Sequence, residues 1–170
     1  MIKVVLKGFG ALVTLIAVGL AAWWSIKFAP HIDDINADVL SAEGEYSGDL
    51  GGLYRLVLIA ETESGIARYA SSSAYARLSF ETGVIWSLNG FLWHVSIRML
   101  LSEQEEFYLW LKAAKLNQLA QQHFGHPILE LPLEERAVVV GMVKSPSVFA
   151  PGTDRERERT QKILKAYNAS

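Results

Sequence analysis

The chain has 170 residues, 51% of them hydrophobic, and a formal net charge of −2, a length that suits one domain with a small addition. It contains no cysteine, which excludes disulfides, thiolate metal sites and a cysteine nucleophile. Beyond Phe28, the 16 Lys and Arg less Lys3, Lys7 and Lys27 leave 13 against 18 Asp and Glu, a net of −5, and an acidic domain with no evident basic stripe is a poor nucleic-acid binder.

Residues 1–28 read as a transmembrane anchor. Lys3 and Lys7 precede a charge-free run from Gly8 to Ile26. Carried to Phe28 past a snorkelling Lys27, the run gives about 20 residues, or ~30 Å of helix, enough for a hydrocarbon core. Lys3 and Lys7 favour a cytoplasmic N-terminus, and Trp23 and Trp24 suit the far interface. The alternative is a cleaved signal peptide with Gly19-Leu20-Ala21 as its small-x-small site; the length of the run favours the uncleaved anchor. Both readings carry residues 30–170 across the membrane. Residues 29–49 then read as a polar juxtamembrane linker with a short helix, its Asp33, Asp34, Asp38, Glu43 and Glu45 repelling anionic headgroups.

The remaining domain, 50–170, is expected to be mostly helical. Leu50 to Ala60 is dense in apolar residues and leads into Glu61-Thr62-Glu63-Ser64-Gly65. A buried helix that delivers a carboxylate at its C-terminal end is how lysozyme-like enzymes place a catalytic glutamate, because such surroundings favour a carboxyl group's neutral form. Glu61 is the candidate in this register and Glu63 the alternative; two solvent-facing glutamates at a helix end is the bland reading. Ser71-Ser72-Ser73 reads as a serine-rich turn. Val84 to Leu100 is apolar with aromatics and is expected to be mostly core, with His94 a core or boundary histidine. No Asp or Glu occurs between Glu81 and Glu103.

Ser102-Glu103-Gln104-Glu105 is a capping box that starts a helix. Phe107, Trp110, Leu111, Ala114, Leu116, Leu119 and Ala120 continue at helical spacing. His123 and His126 flank Gly125 but lack an evident third ligand, so no metal site is assigned. Pro132 suits a first helical turn, and Glu134 and Glu135 the positive end of the helix dipole. Ala137 to Val143 is apolar on every side, which predicts a central core helix with Gly141 admitting a close neighbour. Thr153 to Glu156 is a second capping box, opening a terminal helix that reads as largely solvated.

The order of residues from Leu119 to Pro151 resembles the C-terminal part of glycosyltransferase family 51, the peptidoglycan glycosyltransferases. The carrying segments are His123-Phe124-Gly125-His126-Pro127, Glu130-Leu131-Pro132-Leu133-Glu134-Glu135 and Lys144-Ser145-Pro146-Ser147-Val148-Phe149-Ala150-Pro151. Leu101-Ser102-x-x-Glu105 with Tyr108 to Leu111 is similar to another segment of that family, with Lys112 in place of an Asn. The resemblance implies a lysozyme-like helical fold, a bacterial inner-membrane location with the domain periplasmic, and action on lipid-linked peptidoglycan precursor. It implies that Glu61, at the end of Leu58-Ile59-Ala60-Glu61, is the general base. It also implies a second catalytic carboxylate with basic residues and a divalent ion such as Mg²⁺ at the donor pyrophosphate.

This chain departs from that pattern. Thr62 stands where the family has Asp, the downstream Phe and His are absent, and Gly90 falls opposite the second carboxylate, with Trp86-Ser87 opposite an Arg-Lys pair. The donor loop is shortened at Ala113 to Gln118. A missing general base costs about 10²–10⁴ in rate and lost charge stabilisation a similar factor, so with one candidate for the first role and none for the second, reduced or absent turnover is expected. In a second register, Glu63-Ser64-Gly65 with Ala70, Ser72, Ala76 and Arg77 is similar to lytic transglycosylases, with Leu78-Ser79-Phe80 where those have Gly-Leu-Met-Gln. Three roles remain open: a divergent transferase using Glu61, a lytic enzyme using Glu63, and a non-catalytic protein that binds glycan, precursor or another cell-wall synthesis protein.

Overall fold

The computed structural model describes residues 2–48, 50–79 and 84–169, and of 2–10 and 84–85 the backbone alone. Phe80 and Glu81, and the side chains of Lys3, Lys7 and Ile85, on which several expectations rest, lie outside the described residues. Among the described residues the chain is mostly helical, with no strand. It divides into two compact units, 1–36 and 37–170.

The first unit contains α1 (Ile2–Trp23), a π-helical turn over Trp24–Phe28 and a 3-10 turn over Ala29–His31. The helical stretch from Ala11 onward is long and apolar enough to cross a membrane. Leu12, Leu15 and Val18 are 53%, 72% and 62% exposed, so protein does not cover the side chains that hydropathy would bury. The Trp24 and Phe28 rings meet one turn apart, tilted at 45° with centroids 4.6 Å apart.

The segment expected as a polar linker is instead largely α2 (Ile32–Glu45), which crosses from the first unit into the second. Val39, Ala42 and Tyr46 bury one helical stripe. Asp38, Ser41 and Glu45 on α2 bond to Arg77, Lys112 and Asn117. The acidic residues that suggested solvation are in part bonding partners.

In the second unit, α3 (Gly51–Glu61) packs against α8 (Leu133–Met142) and α9 (Asp154–Ala169), and α7 (Leu116–Phe124) packs on α8. The other group is α4 (Glu63–Leu78) with α5 (Val84–Leu100) and α6 (Glu103–Ala114). α8 is the core helix its composition predicts: Ala137, Val139, Val140 and Met142 are fully buried. Gly141 faces α9, and a Cβ there would lie 3.6 Å from Arg159 and Ile163, which is the close neighbour expected. Pro132 falls one residue outside the helix, as its N-cap in extended conformation, with Glu134 and Glu135 in the first turn.

Four local expectations change. Ser71 to Ser73 do not form a turn but lie inside α4. The hydroxyls of Ser71 and Ser72 are satisfied within the helix, Ser71 by Ala67 O at 2.8 Å and Ser72 by Tyr69 O at 3.1 Å. The apolar spacing from Phe107 to Ala120 is not one helix: Lys115 takes φ 53 and separates α6 from α7. α5 is core on one side only. Trp93 and Ile97 are buried, while Leu88, Phe91 and Met99 are 63%, 62% and 78% exposed. The terminal helix α9 is not merely solvated, because Glu156, Thr160 and Ile163 are buried against its neighbours. Its capping box is half formed. Thr153 Oγ1 accepts from Glu156 N, but the Glu156 carboxylate accepts from Gly152 N and Thr160 Oγ1. The box at Ser102 is complete.

Candidate functional site at Glu61

The two helical groups of the second unit meet in sequence at Thr62, between α3 and α4. Leu53, Leu56 and Val57 bury one face of α3, and that burial carries its last residue, Glu61, inside to 4% exposure. The carboxylate sits at the helix end, where the sequence placed it. Thr62 then takes φ 64 and ψ 157, a region almost confined to glycine that costs any other residue on the order of 1–3 kcal/mol. In return Thr62 Oγ1 caps α4 by accepting from Gly65 N at 3.3 Å. Gly65 keeps this corner uncrowded: a Cβ there would lie a tight 3.3 Å from the same Oγ1, with Glu61 Oε2 in ordinary contact at 3.9 Å.

Two cations converge on Glu61. Lys144 Nζ lies 2.6 Å from Oε2 and Arg159 Nη2 3.3 Å from Oε1. The Arg159 guanidinium also lies 5.0 Å above the Phe149 ring, a cation–π contact that fixes its plane. Lys144 and Phe149 belong to the C-terminal stretch that carries the family resemblance, and Arg159 follows on α9. That stretch therefore closes on the candidate base itself. Proton abstraction needs a carboxylate oxygen within about 2.6–3.2 Å of the acceptor hydroxyl. Both oxygens of Glu61 are engaged, so a hydroxyl would have to displace or share with a cation.

An open groove of about 390 Å³ runs beside this triad, lined by Glu61, Ser64, Arg68, Tyr69, Ser72 and Lys144 among others. Its walls offer hydroxyls, a guanidinium and an aromatic face, the groups that bind sugar hydroxyls and rings. Burial, with the Glu61 charge adding, raises the Tyr69 phenol above its ordinary range, so Tyr69 is a neutral hydrogen-bond donor.

Glu63 differs from Glu61 in exposure and in place. Its side chain is 58% exposed at the first turn of α4 and pairs with Arg98 at 3.3 Å. Arg98 Nε also lies 3.4 Å from Glu106, whose side chain is only 6% exposed. Burial raises the Glu106 carboxyl above its usual range; Arg98 opposes this, and Glu63 and Glu103 add to it. The sequence reading missed Glu106. The signal was a charged residue beside Phe107 on the buried side of a capped helix.

Ser71 Oγ lies 2.9 Å from His94 Nδ1, which places His94 at the core boundary as expected. Burial first, then Arg98, holds the His94 imidazole below its ordinary value. Gly90, opposite the family's second carboxylate, packs against Tyr75, with 3.5 Å between a built Cβ and the ring. Trp86-Ser87 offers no charge at the place of the family's basic pair. The divalent ion that the resemblance implies takes several oxygen ligands. The Glu61 groove supplies one carboxylate, already held by Lys144 and Arg159, with Arg68 alongside. These residues do not fit such an ion. Among the described residues no group of three His, Cys, Asp or Glu is placed to hold a metal, and His126 instead pairs with Glu130 at 3.6 Å.

The chain matches no protein-family model, no curated protein and no solved structure.

Proposed function

We propose that this is a membrane-anchored, peptidoglycan glycosyltransferase-like protein with a lysozyme-like domain. Its N-terminus is cytoplasmic and its helical domain lies on the periplasmic side of a bacterial inner membrane. The domain binds glycan strands or lipid-linked precursor in the groove beside Glu61, with reduced or no turnover. One observation carries this reading. A buried glutamate ends an apolar helix on the wall of an open groove, with both oxygens held by Lys144 and Arg159. The helix and groove support the glycan-binding part, and the occupied oxygens support weak chemistry.

Glu63 is less suited to act alone. It is exposed, paired with Arg98 and absent from the groove lining, which weighs against the lytic alternative. The uncovered apolar face of α5 favours a scaffold role alongside glycan binding, with another cell-wall synthesis protein as partner. The binding part is tested by titrating full-length protein in uncharged detergent with fluorescent glycan oligomers. Tyr69→Ala is expected to weaken binding about tenfold, because loss of an aromatic platform with its hydroxyl costs about 1–2 kcal/mol. Wild-type protein that fails to bind, or binding unchanged in Tyr69→Ala, would remove the groove from the account.

A further inference from the structure

The second unit is acidic overall, yet three of its cations converge on one pocket far along α4 from Glu61. The pocket, about 430 Å³, has an apolar floor of Ala70, Ala74 and Leu109 and a rim bearing Arg77, Lys112 and Lys115. One carboxylate lines it, that of Asp38, and Arg77 already bonds it. Lys112 Nζ donates to a neutral partner, Ser41 Oγ, at 2.9 Å. Lys115 is held at the rim by a left-handed backbone, φ 53, that an ordinary residue adopts only at a cost. Ser73 adds a hydroxyl from α4. The local balance is three cations against one anion, the reverse of the sign of the surrounding domain.

The geometry points to a phosphate-binding site here, separate from the Glu61 groove, with which it shares no lining residue. The part of the Arg77 guanidinium not spent on Asp38, two ammonium groups and a hydroxyl around a small cavity match the several oxygens of a phosphate group. The apolar floor accommodates carbon attached to it. The phosphate is that of a membrane phospholipid headgroup or a free phosphate. The apolar run that can cross a membrane lies ahead of Asp38 in the same chain, which makes a headgroup phosphate a source to test. The pocket does not depend on the peptidoglycan reading, and either can fail without the other.

The test is lysine acylation footprinting of the full-length protein, read by mass spectrometry. One arm holds it in uncharged detergent with and without inorganic phosphate. The other holds it in phosphatidylglycerol nanodiscs. Slower acylation of Lys112 and Lys115, by about threefold or more, is expected in at least one arm, with the exposed Lys165 unchanged. Protection in the first arm identifies free phosphate as sufficient; protection in the second arm alone identifies the headgroup. Arg77→Gln and Ser73→Asp, the latter placing a carboxylate in the cavity, should both abolish protection with helical content intact by circular dichroism. No protection in either arm overturns the site. So does protection that persists in a folded Arg77→Gln or Ser73→Asp protein, since it would then reflect shielding by the bilayer or a general salt effect.

Discussion

Substituting Glu61 by Gln separates a structural ion triad from a working base. In the wild type the Glu61 side chain is 1% exposed, with Lys144 and Arg159 on its two oxygens. Glu61→Gln keeps the shape, removes the anion and turns an amide group toward two cations. Removing one partner of a fully buried pair costs roughly 3–5 kcal/mol. The remaining groups are not fully buried: Lys144 is 52% exposed and can turn to water, while Arg159, at 25%, is held on Phe149. Solvent recovery by Lys144 brings the expected loss to about 2 kcal/mol. For a unit of this size that is a fall in Tm of about 6–8 °C. The assay is thermal unfolding by circular dichroism at 222 nm in uncharged detergent, with Lys144→Gln and the double variant beside it. The double variant should lose less than the sum of the singles, because the lone buried cation is then reduced to Arg159. A Glu61→Gln protein as stable as the wild type, or more so, would refute the reasoning. It would mark Glu61 as a strained group kept for chemistry.

Three further outcomes follow from the same structure. Thr62→Gly should raise stability by about 1 kcal/mol in urea unfolding, since relief of the φ 64 backbone outweighs the few tenths lost from the cap and glycine's greater unfolded-state freedom; a loss above that size would contradict the strain. Glu106→Gln should gain on the wild type as pH rises. The folded wild type holds the Glu106 proton to higher pH than the unfolded chain does, so the wild type loses stability as pH climbs through the folded value. Urea midpoints across the carboxylate range would show a widening gap, and a constant gap would contradict the direction. Asn117→Ala should cost about 2 kcal/mol, because Asn117 Oδ1 accepts from the buried Ile128 N at 3.0 Å and its Nδ2 donates to Glu45 at 3.1 Å. An unchanged midpoint would show that tie to be dispensable.

Much of the local architecture was legible because it is set by neighbours in sequence. The all-apolar run at 137–143, the box at Ser102 and the glutamate ending α3 each follow from periodicity and capping within a few residues. The break at Lys115 was not legible, since neither glycine nor asparagine marks the left-handed position. Ser71 to Ser73 misled because serine suits turns in general, whereas here Ala70, Ala74 and Tyr75 are buried and the Ser71 and Ser72 hydroxyls bond back along the helix. The environment of Glu61 was out of reach. Its partners stand on α9 and after α8, far along the chain, and only tertiary packing brings them to one carboxylate. For the same reason Arg98 gave no sign of joining Glu63 to Glu106, nor Arg77 and Lys112 of meeting Lys115 in an otherwise acidic domain.

The central claim, glycan-type recognition at a glutamate with little or no turnover, is tested most directly by polymerisation. Full-length protein in detergent is incubated with labelled lipid-linked peptidoglycan precursor and Mg²⁺, beside Glu61→Gln and Glu63→Gln, and products are separated by length. Bound precursor is expected, with little or no polymer above that of either variant. Efficient polymerisation by the wild type, lost in Glu61→Gln, would contradict the claim, and would make Glu61 an active base despite Lys144 and Arg159.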